Sequence, residues 1–147
     1  MLRIVIADDV QMNRELFEGQ LKRQHDVVGS AENGEELVAR VLETNPHGII
    51  TDFNMPKMNG LEAIQTLRKE GILIPAIIPT GNLLDLYPLG FQECAKSYLS
   101  MDEDNSGVYA YADTVPHCYA IWKPYPLKGL HTMIREVVAG TFHQPIA

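Results

Sequence analysis

Two apolar runs in this chain end in acid. Leu2–Ala7 leads into Asp8-Asp9, and Gly48–Thr51 leads into Asp52. Ile4, Val5, Ile6 and Ala7 leave no polar face, the mark of a strand covered on both sides. If both runs are parallel strands of one sheet, three carboxylates meet at its C-terminal edge, where open α/β sheets bind their ligands. Three such charges repel one another unless a divalent cation or an ammonium offsets them. A third run, Tyr119–Trp122, ends in Lys123 and offers that ammonium at the same edge.

The elements between these runs alternate. Leu16, Phe17 and Leu21 space an amphipathic helix over Met12–Gln24. Val27–Ala31 reads as a second strand, and Asn33-Gly34 turns into a helix over Glu35–Thr44. Asn45-Pro46 stops that helix, since the residue before proline avoids the helical region. Gly48–Thr51 is a third strand, Leu61–Lys69 a third helix and Ile74–Pro79 a fourth strand. Asn82–Lys96 reads as helical in its second half, interrupted by Pro88 and Gly90. Tyr119–Trp122 is the last strand and Leu127–Ala139 a closing amphipathic helix. Strict alternation with short connections predicts a parallel sheet with helices on both faces.

A chain of 147 residues holds one domain with a real core. The reading is one unit over residues 1–140, with an insertion at about 100–118 and a tail at 141–147. A net charge of −7 without a Lys/Arg cluster argues against nucleic acid, whose phosphates need a basic face. The chain ends soon after Lys123, which leaves no room for a DNA-binding output domain. No run approaches the roughly 20 apolar residues of a membrane span, and no signal segment opens the chain. The expectation is a cytoplasmic protein, with Cys94 and Cys118 as reduced thiols.

Asp8, Asp9, Asp52, Thr80 and Lys123 each sit at or just beyond a predicted strand end. Mg²⁺ or Mn²⁺ prefers a few carboxylates with waters and phosphate oxygens, so Asp9 and Asp52 would bind it directly and Asp8 through water. A free Asp52 carboxylate is a nucleophile toward phosphorus. Thr80 and Lys123 would bind the phosphoryl oxygens. Each residue alone has a plainer reading, Asp8 and Thr80 as turn caps and Lys123-Pro124 as a surface turn. Pro56 would fix the turn after the acceptor, and Gly60 would supply a permissive backbone where the third helix begins.

The ordered set of Asp8-Asp9, Asp52-Phe-Asn-Met-Pro56-Lys-Met-Asn-Gly60, Thr80-Gly81 and Lys123-Pro124 resembles the receiver domain of two-component response regulators, in a stand-alone, chemotaxis-regulator-like form. The resemblance implies a flavodoxin-like, doubly wound, five-stranded parallel sheet in the order 2-1-3-4-5. It implies that Asp52 takes a phosphoryl group from a histidine of a kinase or phosphotransfer protein. It makes Asp8, Asp9, Asp52 and the backbone carbonyl of Asn54 the metal site, and Thr80 the switch hydroxyl. Lys123 would pair with the acceptor and then with its phosphoryl group. Asn54 and Asn82 would tune dephosphorylation. Asn13, Leu16 and Gln20 would dock the phosphodonor, although the plain reading buries Leu16 in the core. Tyr98 and Trp122 would face a downstream protein target, and a phosphorylation-dependent homodimer is one open output. Any enzymatic activity would be transfer to itself with slow autodephosphorylation.

The chain departs from that pattern in two places. The separation of 43 positions from Thr80 to Lys123 exceeds the family's usual spacing, which defines the insertion. Tyr98–Met101 and Val108–Ala112 flank the turn-rich 102–107 and predict a β-hairpin. A calcium loop built on Asp102, Asp104, Ser106 and Asp113, or a flexible acidic loop, are the other readings. The position of the family's switch aromatic is Ala120, so Tyr98, Tyr119 or Trp122 must take over if any residue does. Two competing functions follow: a degenerate receiver that binds partners constitutively, and a Mg²⁺-dependent phosphatase. The second generally needs an acid two residues after its nucleophile, where this chain has Asn54.

Overall fold

The computed structural model describes residues 1–93, 109–123, 125 and 127–140. Its strands are β1 (Leu2–Ala7), β2 (His25–Ala31), β3 (Gly48–Thr51), β4 (Ala76–Thr80), β5 (Phe91–Glu93), β6 (Tyr109–Ala112) and β7 (Cys118–Trp122). Its helices are α1 (Gln11–Leu21), α2 (Gly34–Thr44), α3 (Gly60–Lys69) and α4 (Leu127–Ala139). The sheet order is β2-β1-β3-β4-β7-β6-β5. Its first five strands are parallel and follow the expected doubly wound order.

Alternation along the strands sorts side chains into two layers. Val5, Ile49 and Ile78 face α2 and α3, joining Leu37, Val41, Ile64 and Leu67. Ile4, Ile6, Ile50 and Ile77 face the other way, joining Phe17 and Leu21 of α1 and Leu130, Met133 and Ile134 of α4. Local signals set the helix ends. Asn59 and Glu62 form a reciprocal capping box on α3, and Asn33 caps α2 through the Glu36 amide. Asn45 closes α2 with φ 46°, a left-handed conformation that asparagine tolerates.

The far edge differs from the five-stranded expectation. β6 runs antiparallel to β7, and β5 antiparallel to β6, so among the described residues the sheet has seven strands. The helix predicted within Asn82–Lys96 is replaced, among the described residues, by two 3₁₀ turns, Leu83–Asp85 and Tyr87–Leu89, and then β5. Pro88 has no amide to continue a helix, and Gly90 turns the chain with φ 94°. Small side chains at Ala110, Ala112 and Ala120 share a cluster with fully buried Leu86 and with Phe91. They leave room for this segment to lie directly on the sheet. Gln92 fastens the new ladder, accepting from the Tyr111 hydroxyl at 3.1 Å and donating to Asp113 at 2.8 Å.

Of the expected hairpin between Tyr98–Met101 and Val108–Ala112, the described part, Tyr109–Ala112, is a strand paired with Phe91–Glu93 on one side and Cys118–Trp122 on the other. Tyr98–Met101, Cys94, the 102–107 turn and the 141–147 tail lie outside the described residues. Of the proposed insertion, Tyr109–Ala112 and Cys118 are integral strand residues.

Pro79 explains a second irregularity. Pro75 accepts from Ile49 of β3, whereas Ala76 and Thr80 pair toward β7, so odd positions of β4 face β3. Pro79 has no N–H to offer there, and the β3–β4 register ends at Ile50 and Ile77.

Arg68 ties together two loops below the sheet. Its guanidinium donates to the carbonyls of Ile72, Ile74, Pro116 and His117 at 2.7–3.1 Å. These carbonyls precede β4 and β7. Arg68→Ala is expected to lose about 3 kcal/mol in urea unfolding, because a charged donor to several carbonyls is removed at once. Arg68→Lys should recover only part, since an ammonium cannot span the same fork. Nearby, burial pushes the Cys118 thiol up to about 12, which makes it inert as a nucleophile at neutral pH. No described helix is long and apolar enough to cross a membrane.

Candidate functional site

The sheet ladders continue one residue past each strand and set the site's frame. Asp8 donates its amide to Ala31, Asp52 to Ala7 and Lys123 to Thr80, at 3.0, 2.9 and 2.7 Å. The acidic pair, Asp52, Thr80 and Lys123 thus share the C-terminal edge of the parallel strands. Carboxylate oxygens of Asp8, Asp9 and Asp52 lie within 4.8 Å of one another. Asp9 is exposed, Asp52 half-buried and Asp8 only 1% exposed.

The capping reading of Asp8 is seen in its contacts. One oxygen accepts from the Val10 amide at 2.9 Å and from Asn13 at 3.4 Å, capping the turn into α1. The other oxygen is buried with no partner. Asp52 accepts from the Phe53 amide at 2.9 Å. Burial holds its carboxyl above the usual carboxylate range, and the charge of Asp8 adds to this. Lys123 and the Phe53 amide oppose the shift, and Asp9 adds to it. Lys123 acts through space, since among the described residues it closes no ion pair.

An orphaned, buried carboxylate oxygen beside two further carboxylates is a donor set of hard oxygen alone. Such a set suits a small divalent cation. The residues present therefore fit Mg²⁺ chemistry, and Asp9 and Asn54 line an adjoining cleft of about 540 Å³.

The acceptor loop is held from below. The Phe53 carbonyl accepts from Gly60 at 2.9 Å, and the Met58 carbonyl accepts from Gly34 at 2.8 Å. A Cβ at Gly60 would overlap the Asp52 carbonyl oxygen, and one at Gly34 would overlap that of Met58. Close approach, rather than the conformational freedom expected from the sequence, is what requires glycine at position 60. The Met58 amide returns to the Pro56 carbonyl at 2.7 Å around Lys57, whose φ is 68°. This is a γ-turn, a strained arrangement that clusters at functional sites.

Thr80 also caps its turn, its hydroxyl oxygen accepting from the Asn82 amide at 3.2 Å. The Asn82 side chain is engaged with the Leu84 amide at 3.1 Å. Among the three aromatic candidates, Trp122 reaches this turn: its indole N–H donates to the Gly81 carbonyl at 3.2 Å. Tyr119 belongs to the opposite layer, and Tyr98 lies outside the described residues. Ala120 is fully buried.

Asn13, Leu16 and Gln20 line one groove of about 500 Å³ with Phe17, Lys123 and Tyr125. Leu16 is 57% exposed, and Phe17 takes the core position instead. The plain reading of Leu16 as core is therefore wrong, because the helix turns its neighbour inward. Three contributors were not legible in the sequence. Arg14 donates to the Asp8 carbonyl at 2.7 Å, the buried Thr51 hydroxyl donates to the Asp52 carbonyl at 2.9 Å, and Gly34 supports Met58. Arg14 falls one helical turn beyond Val10, a spacing that could have flagged it. Nothing local marks the other two.

Comparison with known proteins agrees with this geometry. The response regulator receiver domain profile matches residues 4–100. The chain is 30% identical to transcriptional regulatory protein YdfI of Bacillus subtilis, over 88% of this chain and 62% of that protein. It is 35% identical to a protein-glutamate methylesterase/protein-glutamine glutaminase of Bacillus licheniformis, over 99% of this chain and 43% of that protein. The chain thus spans less than two thirds of these relatives. The response regulator domain of Thermotoga maritima CheB superposes with a TM-score of 0.69 at 20% identity, covering 95% of this chain and 97% of that one. At that identity the likeness concerns the fold. Profile, relatives and fold agree that this chain belongs to the response regulator receiver domain family.

Proposed function

We propose that this receiver is a phosphorylation-driven switch with Asp52 as its acceptor. The observation that carries the reading is the gathering of three carboxylates around one buried, unpartnered oxygen, with Lys123 acting on Asp52 from the end of β7, one strand beyond β4. An Asp52 oxygen attacks the phosphorus of a phosphohistidine. The new P–O bond forms as the P–N bond breaks, and the released imidazole takes a proton from water. Asp9, Asp52 and the Asn54 carbonyl would hold Mg²⁺ or Mn²⁺ directly, and Asp8 through water. The ion would neutralise charge on the transferring phosphoryl oxygens. Lys123 and the Thr80 hydroxyl would bind those oxygens after transfer, and Asn54 and Asn82 would tune dephosphorylation.

The donor would be a histidine kinase or phosphotransfer protein seated on the groove of Asn13, Leu16 and Gln20. Output would go to a protein target, or to a second copy of the chain, through Trp122 and Tyr98, of which Tyr98 lies outside the described residues. Residues 1–140 would act as one receiver unit, with its insertion at about 100–118. The transcriptional and methylesterase activities named for the relatives belong to those longer proteins.

Acetyl phosphate or phosphoramidate, with and without Mg²⁺, separates the readings. The expected result is one lasting phosphoryl adduct on Asp52 that needs Mg²⁺. The sole tryptophan should change its emission with it, because its indole donates to the carbonyl of Gly81, the residue next to Thr80. Multiple turnover of donor would indicate a phosphatase. Absence of any adduct would indicate a constitutive binding module.

A further inference from the structure

His25 opens β2 and His131 lies on α4, and neither takes part in the acceptor site. Their rings stack at 5.3 Å between centroids, tilted by 37°. Both residues are buried, at 3% and 4% exposure. Both nitrogens of His25 and the Nδ1 of His131 have no hydrogen-bond partner. The Gln20 backbone on α1 acts on the His131 ring and partly opposes its downward shift. Buried polar atoms are ordinarily satisfied, so three orphaned nitrogens in one contact call for a reason.

The surroundings say which species the pair excludes. Arg135 on α4 acts on both rings, and the chain's N-terminal amino group, ahead of β1, acts on His25. Both are positive. Asp26, next along β2, is exposed and alternates to the opposite face of the strand. Glu136 acts on Tyr109 instead. Lys22 and Arg23, at the end of α1, are exposed and positive. Among the described residues no carboxylate acts on either ring. A proton or a metal cation here would face like charge with no counter-ion, so the neutral pair is the species that this packing suits.

We propose that His25 and His131 form a proton-sensitive latch: as neutral rings they seat α4 against α1 and β2, and protonation of either ring releases that seat. Gln20, whose backbone acts on the His131 ring, also lines the groove with Leu16, Phe17, Lys123 and Tyr125. Acidification therefore loosens the wall of that groove and the segment carrying Lys123. The latch itself does not depend on the phosphorylation reading, and only its consequence for the groove does.

The sign follows from linkage. Burial, together with the neighbouring positive charge, lowers both imidazoles from their ordinary value. The stabilising contribution is then complete above that ordinary value and is lost as pH falls below it. Asp52 has the opposite shift, so its protonation cannot produce the same loss.

The test uses the full chain and His25→Phe, a ring of similar shape that cannot be protonated. In wild type, amide exchange across α4, corrected for its intrinsic pH dependence, should speed up about tenfold between pH 7.5 and 5. In His25→Phe that acceleration should shrink. Equal acceleration in both proteins overturns the proposal. Should the variant not fold, NMR titration of the wild-type rings decides: midpoints below 6.5 support the latch, and midpoints at or above it overturn it.

Discussion

Asp52→Asn is expected to abolish the phosphoryl adduct completely while making the metal-free protein more stable. The amide keeps the shape of the side chain and its contact with the Phe53 amide, but it has no anionic oxygen to attack phosphorus. Intact-mass measurement after incubation with acetyl phosphate and Mg²⁺ should show no gain. The stability effect follows from the raised Asp52 carboxyl. A group whose folded pKa lies above its unfolded one costs stability as pH rises through that interval, and at neutral pH the whole cost is present. Removing the charge relieves repulsion from Asp8 and Asp9, so Tm without divalent ions should rise. Added Mg²⁺ should stabilise wild type more than the variant, because binding to the native state alone shifts the unfolding equilibrium. An unchanged adduct on the variant would relocate the acceptor. A lowered Tm would mean that Lys123 outweighs the two neighbouring acids.

Gly60→Ala should damage stability and chemistry together. The added methyl would overlap the Asp52 carbonyl oxygen and press on the Thr51 side chain, whose atoms lie 3.1 Å away. Backbone atoms cannot swing aside as a flexible side chain does, so the start of α3 or the acceptor loop must move. Overpacking of this kind costs about 3 kcal/mol. The Asp52 carboxylate is carried on that same displaced backbone, and misplacement by about 1 Å costs about a hundredfold in rate. Urea unfolding and the rate of adduct formation would read the two effects. Gly19→Ala is the matched control. A Cβ there meets nothing within 4 Å, and replacing an exposed helical glycine should instead gain about 0.5–1 kcal/mol.

Much of the parallel core was legible because its signals are local. A buried strand without a polar face, helical spacing of Leu16, Phe17 and Leu21, and a proline after Asn45 each act within a few residues. The acidic cluster followed from the strand ends at Asp8-Asp9 and Asp52, whereas the strand order and the Asn54 carbonyl followed from the resemblance. The edge beyond β7 was not legible in the same way. Phe91–Glu93 gains its strand character from pairing with Tyr109–Ala112, and that partner is distant in sequence. The helical reading of the same stretch rested on spacing alone, which cannot register a ladder formed elsewhere. Trp122 was one of three aromatic candidates until the chain trace put its indole on the Gly81 carbonyl.

By itself the sequence determined which residues could carry charge and chemistry at the ends of its apolar runs, since strand ends and side-chain ionisation are local properties. Only the tertiary structure decided that one Asp8 oxygen is buried without a partner, that Gly60 and Gly34 touch carbonyls across the loop, and that two histidines 106 positions apart share one buried contact. Those facts depend on how separate elements approach one another, and approach distance is written in the packing of the whole chain.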